Sequence, residues 1–221
     1  MREFELALPL DERRRAERFR VDAARGCFVV GRTVLREALA RALDVARSDL
    51  VFELGPHGRP ALVAPEPPAG LDFNLSHSSD VVVVAVAPTA VGVDVEARRD
   101  VPLADRLARR FFAPDERDAV LGAAGGARDH AFLRIWTQKE AWLKATGIGI
   151  GMALRAVEVE PDPDRPPRLA AVDGSAEDAR GWSLAEAEIP GAVCTVAVRG
   201  GPPEISLRRF VPTMPDGAGP R

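Results

Sequence analysis

The chain has 221 residues, 46% hydrophobic and 29% charged, which is typical of a globular protein of one domain or two small ones. Its two distant cysteines, Cys27 and Cys194, exclude a disulfide scaffold and indicate a reduced protein. The net charge of −3 argues against bulk nucleic-acid binding, and the longest apolar run, Val81–Ala87, is too short to cross a bilayer. The start, Met1–Phe19, has no apolar signal core, so a cytoplasmic protein with no membrane partner is expected.

The first half of the chain predicts helices followed by short strands. In chain order the predicted elements are a charged helix at Leu10–Arg20, an amphipathic helix at Cys27–Val45, and strands at Leu50–Leu54, Phe73–Leu75, Val81–Ala87 and Ala90–Glu96. The connections between them are a turn at Gly55–Pro60, an irregular proline-rich segment at Val63–Gly70 and a polar loop at Ser76–Asp80.

The second half repeats this order. Its helices are predicted at Leu103–Phe112, Pro114–Leu121 and, after a break at Gly122–Gly126, Arg128–Thr146, which Gly147 closes. Its strands are predicted at Val157–Glu160, Trp182–Glu188, Ala192–Arg199 and Ile205–Phe210, before a frayed tail at Pro212–Arg221.

A helix followed by antiparallel strands, repeated once, predicts an α+β fold. We expect two similar α/β halves related by a pseudo-twofold axis, each a helix packed on a small antiparallel sheet. Residues 1–100 would form the first half, 101–211 the second, and 212–221 a flexible tail.

Lysine is scarce in this chain. Of 30 basic residues only Lys139 and Lys144 are lysines, and they lie within six residues of each other. Because every other basic position is arginine, the two lysines indicate a need for a compact, flexible ammonium group. Chance clustering on a helix surface is the alternative.

Two acidic residues share one face of the strand Gly92-Val93-Asp94-Val95-Glu96. Side chains alternate along a strand, so Asp94 and Glu96 point the same way, about 7 Å apart. Such a pair suits Mg²⁺ held by carboxylates, water and substrate phosphates. The alternative is a solvated acidic strand face.

The longest predicted helix carries a Glu–Lys pair beside apolar surface. Helical spacing stacks Trp136, Glu140 and Lys144 on one face. This arrangement indicates a metal ligand at Glu140 and a phosphate contact at Lys144, or an ordinary surface ion pair.

Two polar segments of the first half complete the candidate site. His77, next to hydroxyl groups in the predicted loop, is able to donate to an anion, and Arg59 on a stiff turn is able to grip a phosphate. For each segment, an ordinary turn is the alternative.

In this order the four segments resemble those of 4′-phosphopantetheinyl transferases of the surfactin-synthetase-activating type. The family's GKP-like turn, N-[IL]-S-H loop, G-[IV]-D-[IV]-E strand and W-x-x-K-E-x-x-x-K helix correspond to Gly58–Pro60, Asn74–His77, Gly92–Glu96 and Trp136–Lys144. The resemblance implies an active site in the cleft between two similar halves. It also implies transfer of phosphopantetheine from coenzyme A to a serine of an acyl, peptidyl or aryl carrier protein by a monomeric enzyme.

The resemblance also implies roles for individual residues. The Mg²⁺ ligands would be Asp94, Glu96 and Glu140. The coenzyme A contacts would be Arg25, Arg59, Asn74, Ser76, His77, Lys139 and Lys144. Arg25 is the choice for the 3′-phosphate from the three candidates Arg15, Arg20 and Arg25, and Arg59 replaces the lysine of the family's turn.

The residue types fit this reaction. Glu96 is the candidate base for the attacking serine, and Lys144 would stabilise the leaving 3′,5′-ADP. The same carboxylates would also serve a Mg²⁺-dependent phosphohydrolase acting on coenzyme A or a nucleotide. A non-catalytic module that binds a nucleotide or a partner protein is the third hypothesis.

Overall fold

A computed structural model describes residues 2–55, 58–148 and 154–210. Its helices are α1 Arg2–Leu6, α2 Leu10–Ala16, α3 Asp22–Leu43, α4 Ala104–Phe111, α5 Pro114–Leu121, α6 Gly125–Thr146 and α7 Ala176–Ala179. Its strands are β1 Val51–Leu54, β2 Pro60–Ala64, β3 Asp72–Ser78, β4 Val81–Ala87, β5 Val91–Ala97, β6 Val157–Val159, β7 Leu169–Val172, β8 Trp182–Glu186 and β9 Ala192–Arg199. Within these ranges, no helix combines the length and apolarity needed to cross a bilayer.

A helix packed on a small antiparallel sheet occurs twice. Helix α3 packs on the β3–β4 hairpin, and α6 packs on the three-stranded sheet β5–β9–β8. Leu35 and Leu39 of α3 are fully buried in a core that also contains Phe73, while Ile135 and Leu143 of α6 are buried in the second core. The predicted α+β fold class is therefore confirmed.

Strand β5 and helix α6 lie unusually close together. A Cβ at Gly92 would collide with main-chain atoms of Ala141 and Ala145, so only glycine allows this approach. The contact brings Asp94 of β5 close to Glu140 and Lys144 of α6. Because β5 pairs with β9, the first hundred residues contribute a strand to the second sheet, and the domain division at residue 100 stays a prediction.

Strand β3 is joined to β5 through its side chains. Side-chain oxygens of β3 accept hydrogen bonds of 2.9 to 3.2 Å from alternate main-chain amides of β5. The pairs are Asp72 with Val91, Asn74 with Val93, and Ser76 with Val95. This ladder fixes the predicted pocket residues Asn74 and Ser76 against the acidic strand.

Several predicted elements differ from the structure. The polar loop at Ser76–Asp80 is wrong, because β3 continues to Ser78 opposite β4. The strand at Ile205–Phe210 is also wrong: this stretch pairs with no strand among the described residues, and alternation forms a strand only beside a partner. Helices α1 and α7 and strands β2 and β7 were not predicted, and the tail Pro212–Arg221 lies outside the described residues.

Candidate active site

A cavity of about 570 Å³ opens between α3, the end of β3 and the end of α6. Four of the predicted coenzyme A contacts line it, namely Arg59, Asn74, His77 and Lys144. Further walls come from Arg15, Phe19, Ala24, Cys27, Phe28, Gly31, Arg32, Leu54, Gly58, Pro60, Phe73, Leu75, Leu143 and Gly147. The cavity therefore brings together the first of the four predicted segments, Gly58–Pro60, and the last, Trp136–Lys144.

Lys144 lines this cavity and is held by two side chains. Its Nζ donates to Asp94 Oδ1 at 2.6 Å and to Ser76 Oγ at 2.9 Å. The Ser76 hydroxyl in turn donates to Asp94 Oδ1 at 2.9 Å. Burial raises the pKa of the Asp94 carboxyl, although the Lys144 ammonium opposes this effect. The three side chains form one charge-assisted hydrogen-bonded group.

Glu140 adds a second carboxylate to this group. The residue is 3% exposed, and its pKa is raised to about 7, first by burial and then by the charge of Asp94. Glu140 Oε1 and Asp94 Oδ2 are buried and have no hydrogen-bond partner among the described residues. Unsatisfied carboxylate oxygens of this kind need a cation, a donor or a proton.

Glu96 is held differently. Its Oε2 accepts hydrogen bonds from Ser78 Oγ at 2.7 Å and from Arg99 Nη1 at 2.8 Å. Within the described ranges, no group of three acidic, histidine or cysteine residues is arranged to hold a metal ion. The predicted set of Asp94, Glu96 and Glu140 is thus not arranged as one metal site, and ligation by Glu96 stays a prediction. Asp94 and Glu140 nevertheless fit Mg²⁺, because this ion usually takes one or two carboxylates and completes its shell with water and phosphate oxygens.

The raised pKa of Glu140 predicts how stability changes with pH in metal-free protein. The folded state binds a proton between about pH 4.5 and pH 7 that the unfolded state does not, so the free energy of unfolding should fall as pH rises through this window. At pH 8 the loss should be about 3 kcal/mol, and Glu140→Gln should remove it. Urea unfolding at several pH values in the presence of a chelator measures this difference.

Glu53→Gln is the matched control for this experiment, because Glu53 is exposed on β1. It should leave the pH dependence of unfolding unchanged. A wild-type protein and a Glu140→Gln variant with parallel stability curves between pH 5 and pH 8 would show that Glu140 is not desolvated.

Three predicted contacts do not line the cavity: Ser76, which binds Lys144 and Asp94, and the basic residues Arg25 and Lys139. Arg25 is paired with Glu5 at 2.5 Å, which raises the pKa of its guanidinium, and its contact with the 3′-phosphate stays a prediction. Lys139 is fully buried, and its Nζ binds Glu116 at 2.7 Å and the carbonyl oxygen of Leu154 at 3.0 Å. The prediction that Lys139 reaches the pyrophosphate is therefore corrected, because its ammonium is already enclosed by other partners.

The structure adds two residues, Arg15 and Asp72, to those selected from the sequence. Arg15 lines the cavity with its guanidinium 5.3 Å from the centroid of the Phe28 ring, and it has no acidic partner among the described residues. Asp72 binds Arg59 at 2.7 Å. No sequence signal separates Arg15 from the arginines around it, since only the packing of α2 against α3 selects one.

Two family models match consecutive parts of the chain. The model described as 4′-phosphopantetheinyl transferase superfamily matches residues 90–197. The model described as 4′-phosphopantetheinyl transferase, N-terminal, matches residues 2–89. Together they include all four segments of the site.

Named relatives agree with these matches. The chain is 36% identical over 192 residues to the 4′-phosphopantetheinyl transferase HetI of Nostoc sp., a match that covers 86% of this chain and 77% of HetI. It is 28% identical over 151 residues to the 4′-phosphopantetheinyl transferase Sfp of Bacillus subtilis, covering 67% of this chain and 64% of Sfp. Among solved structures, holo-[acyl-carrier-protein] synthase from Neisseria meningitidis aligns with a TM-score of 0.36 and 20% identity, covering 51% of this chain and 98% of that one.

Proposed function

The chain belongs to the 4′-phosphopantetheinyl transferase superfamily, and we propose that it transfers the phosphopantetheine group of coenzyme A to a serine of an apo carrier protein, releasing 3′,5′-ADP. The observation that carries this proposal is Lys144, which lines the cavity and binds Asp94, with the buried carboxylate of Glu140 close enough to be affected by both charges. A fixed cation beside two carboxylates with unsatisfied oxygens suits a diphosphate that arrives with a metal ion.

The cavity supports coenzyme A as the donor. Lys144 offers positive charge to the diphosphate, while Arg15 and the exposed His77 lie along the same cavity and suit the 3′-phosphate. The apolar surface of Phe28 offers a face on which a nucleotide base can stack.

We further propose Mg²⁺ as the cofactor, held by Asp94 and Glu140. The support is the unsatisfied oxygen on each of these buried carboxylates. When bound, the ion would neutralise diphosphate charge. Lys144 opposes the effect of burial on the pKa of Asp94 and orients its carboxylate through Oδ1.

Glu96 is proposed as the base for the attacking serine. Both of its hydrogen bonds end on Oε2, so Ser78 and Arg99 orient the carboxylate and make no bond to Oε1. In this proposal Oε1 takes the serine proton, while Lys144 stabilises the charge that develops on the leaving 3′,5′-ADP.

An acidic carrier protein suits the exposed face of α4. Arg106 and Arg109 are exposed on this helix, and the exposed Leu103 lies directly before it. A basic face with one apolar side chain favours an acidic helical partner. The monomeric state, the cytoplasmic location and the absence of nucleic-acid and membrane partners remain predictions from the sequence.

Arg15→Ala should weaken coenzyme A more than dephospho-coenzyme A. Loss of a charge-assisted contact with the 3′-phosphate should raise the Kd for coenzyme A about tenfold or more and leave that for dephospho-coenzyme A nearly unchanged. Isothermal titration of both ligands measures the difference. Arg14→Ala, at an exposed position on the same helix, is the control, and equal weakening of both ligands by Arg15→Ala would contradict the contact.

The reaction itself is tested by following 3′,5′-ADP release from coenzyme A with and without apo carrier protein. A transferase releases this product only when the carrier serine is present. Release at the same rate without carrier would favour the phosphohydrolase alternative, which uses the same carboxylates with water as the nucleophile.

A further inference from the structure

Arg59 makes three hydrogen bonds to the protein itself. Its Nη1 donates to the main-chain carbonyl of Lys144 at 3.0 Å. Its Nη2 donates to Asp72 Oδ1 at 2.7 Å and to the carbonyl of Phe73 at 3.0 Å. The sequence predicts that Arg59 contacts the nucleotide, but most of its hydrogen-bond donors are used by α6 and β3.

The bond to Lys144 satisfies a group that the helix cannot satisfy. Helix α6 ends at Thr146, so the Lys144 carbonyl is one of the last four, which have no partner inside the helix. A guanidinium at this end also complements the negative end of the helix dipole. Arg59 thus caps the turn of α6 that carries Lys144.

Asp72 holds Arg59 in place from the other side. Its Oδ1 accepts from Arg59 and also from the amide of Phe73 at 2.8 Å, while its Oδ2 accepts from the amide of Val91 at 2.9 Å. The carboxylate is therefore anchored to the beginning of both β3 and β5. These two strands also supply Ser76 and Asp94, the partners of the Lys144 ammonium.

We propose that Arg59 and Asp72 are positioning residues: they fix the last turn of α6 relative to β3 and β5, and so hold the Lys144 ammonium at Asp94 and Ser76. The kinetic part of this inference rests on the proposed transferase function. Arg59 links the main-chain carbonyl of Lys144 to β3 and, through Asp72, to β5. The same two strands bind the Lys144 ammonium, so the main chain and the side chain of this lysine are both held relative to β3 and β5.

The geometry also shows why arginine suits this turn better than lysine would. A planar guanidinium reaches a carboxylate and two carbonyl oxygens in different directions at once. A single ammonium on a flexible stem holds the same three acceptors less rigidly. The capping role is therefore a property of Arg59 and Asp72 as a pair.

Asp72→Asn is the sharpest variant, because its amide oxygen still accepts from Val91 while its NH₂ group no longer accepts from Arg59 or from the amide of Phe73. We expect kcat to fall roughly tenfold or more with less than about a threefold change in the KM for coenzyme A, since displacement of Lys144 affects the transition state most. Arg59→Lys should lose kcat similarly, and the double variant should be little worse than either single one. Asp80→Asn, exposed on the β3–β4 turn, is the control.

A second readout needs no substrate. The chain contains only two lysines, so protein labelled at the lysine side chains gives two Cε–Nζ NMR signals. The Lys144 signal should shift in Asp72→Asn and Arg59→Lys, whereas the Lys139 signal should stay in place as an internal reference.

The two readouts separate the possible failures. An unmoved Lys144 signal in folded variants, or a rise in the KM for coenzyme A with an unchanged kcat, would overturn the positioning role. If the wild-type protein showed no transferase activity, the proposed function would fail, and the NMR shift alone would still decide whether Arg59 and Asp72 position Lys144. Thermal melting identifies any variant that fails to fold, and the other variant then provides the test.

Discussion

Replacing Lys139 with methionine will lower the free energy of unfolding by about 4 kcal/mol, because it leaves the carboxylate of Glu116 buried without its cation. Lys139 is 0% exposed and Glu116 is 1% exposed, and the two are joined at 2.7 Å. Burial raises the pKa of the Glu116 carboxyl, so the loss should be smaller at pH 5, where this group accepts a proton more readily, than at pH 8. Urea unfolding at both pH values measures the effect.

The double variant Lys139→Met/Glu116→Gln should recover most of that stability, since no buried charge is then left alone. Arg180→Met is the matched control, because it breaks an ion pair with Glu177 in which both side chains are more than 70% exposed. Wild-type stability in Lys139→Met together with a raised KM for coenzyme A would contradict the structural role and restore the pyrophosphate contact predicted from the sequence.

Replacing Lys144 with arginine should lower kcat about 100-fold with a much smaller change in the KM for coenzyme A. The ammonium fits between Asp94 Oδ1 and Ser76 Oγ, at 2.6 and 2.9 Å, where a planar guanidinium cannot take the same position. Arginine also cannot give up its proton to the leaving group. Steady-state kinetics with coenzyme A and an apo carrier protein measure both constants.

Lys144→Met should be at least as slow as Lys144→Arg, and both variants should remain folded. A wild-type kcat in Lys144→Arg would show that charge alone suffices at this position. It would also remove the argument that the scarcity of lysine marks the site.

The sequence predicts the site best where local spacing sets the geometry. Alternation along β5 places Asp94 and Glu96 together, where they accept hydrogen bonds from Ser76 and Ser78, and places Val93 and Val95 in a buried core. Helical spacing places Glu140 and Lys144 on one face of α6. Glycine at position 92 is explained only by the structure, since it reflects the close approach of α6 to β5.

Contacts between distant segments are where sequence reasoning fails. The role of Lys139 depends on Glu116 and on the carbonyl of Leu154, which neither motif nor periodicity connects to it. The choice of Arg15 over Arg25 depends on the ion pair that Glu5 makes with Arg25. Asp72 carries no motif at all, and its importance comes from the strand ends that it joins.

Strand prediction shows the same limit. The polar run Ser76–Asp80 resembles a loop, yet Ser76 and Ser78 belong to β3, which pairs with β4 as far as Ser78. Their side chains bond to the Val95 amide and the Glu96 carboxylate of β5. Polarity normally marks exposed turns, but here it supplies a buried side-chain ladder. Only the partner strand distinguishes the two cases.

Intact-mass spectrometry of an apo carrier protein incubated with this enzyme, coenzyme A and Mg²⁺ tests the central claim most directly. The account predicts a mass increase equal to one phosphopantetheinyl group, located by fragmentation at the carrier serine and lost when that serine is replaced by alanine. A carrier that keeps its original mass while coenzyme A is consumed would contradict transfer to the carrier.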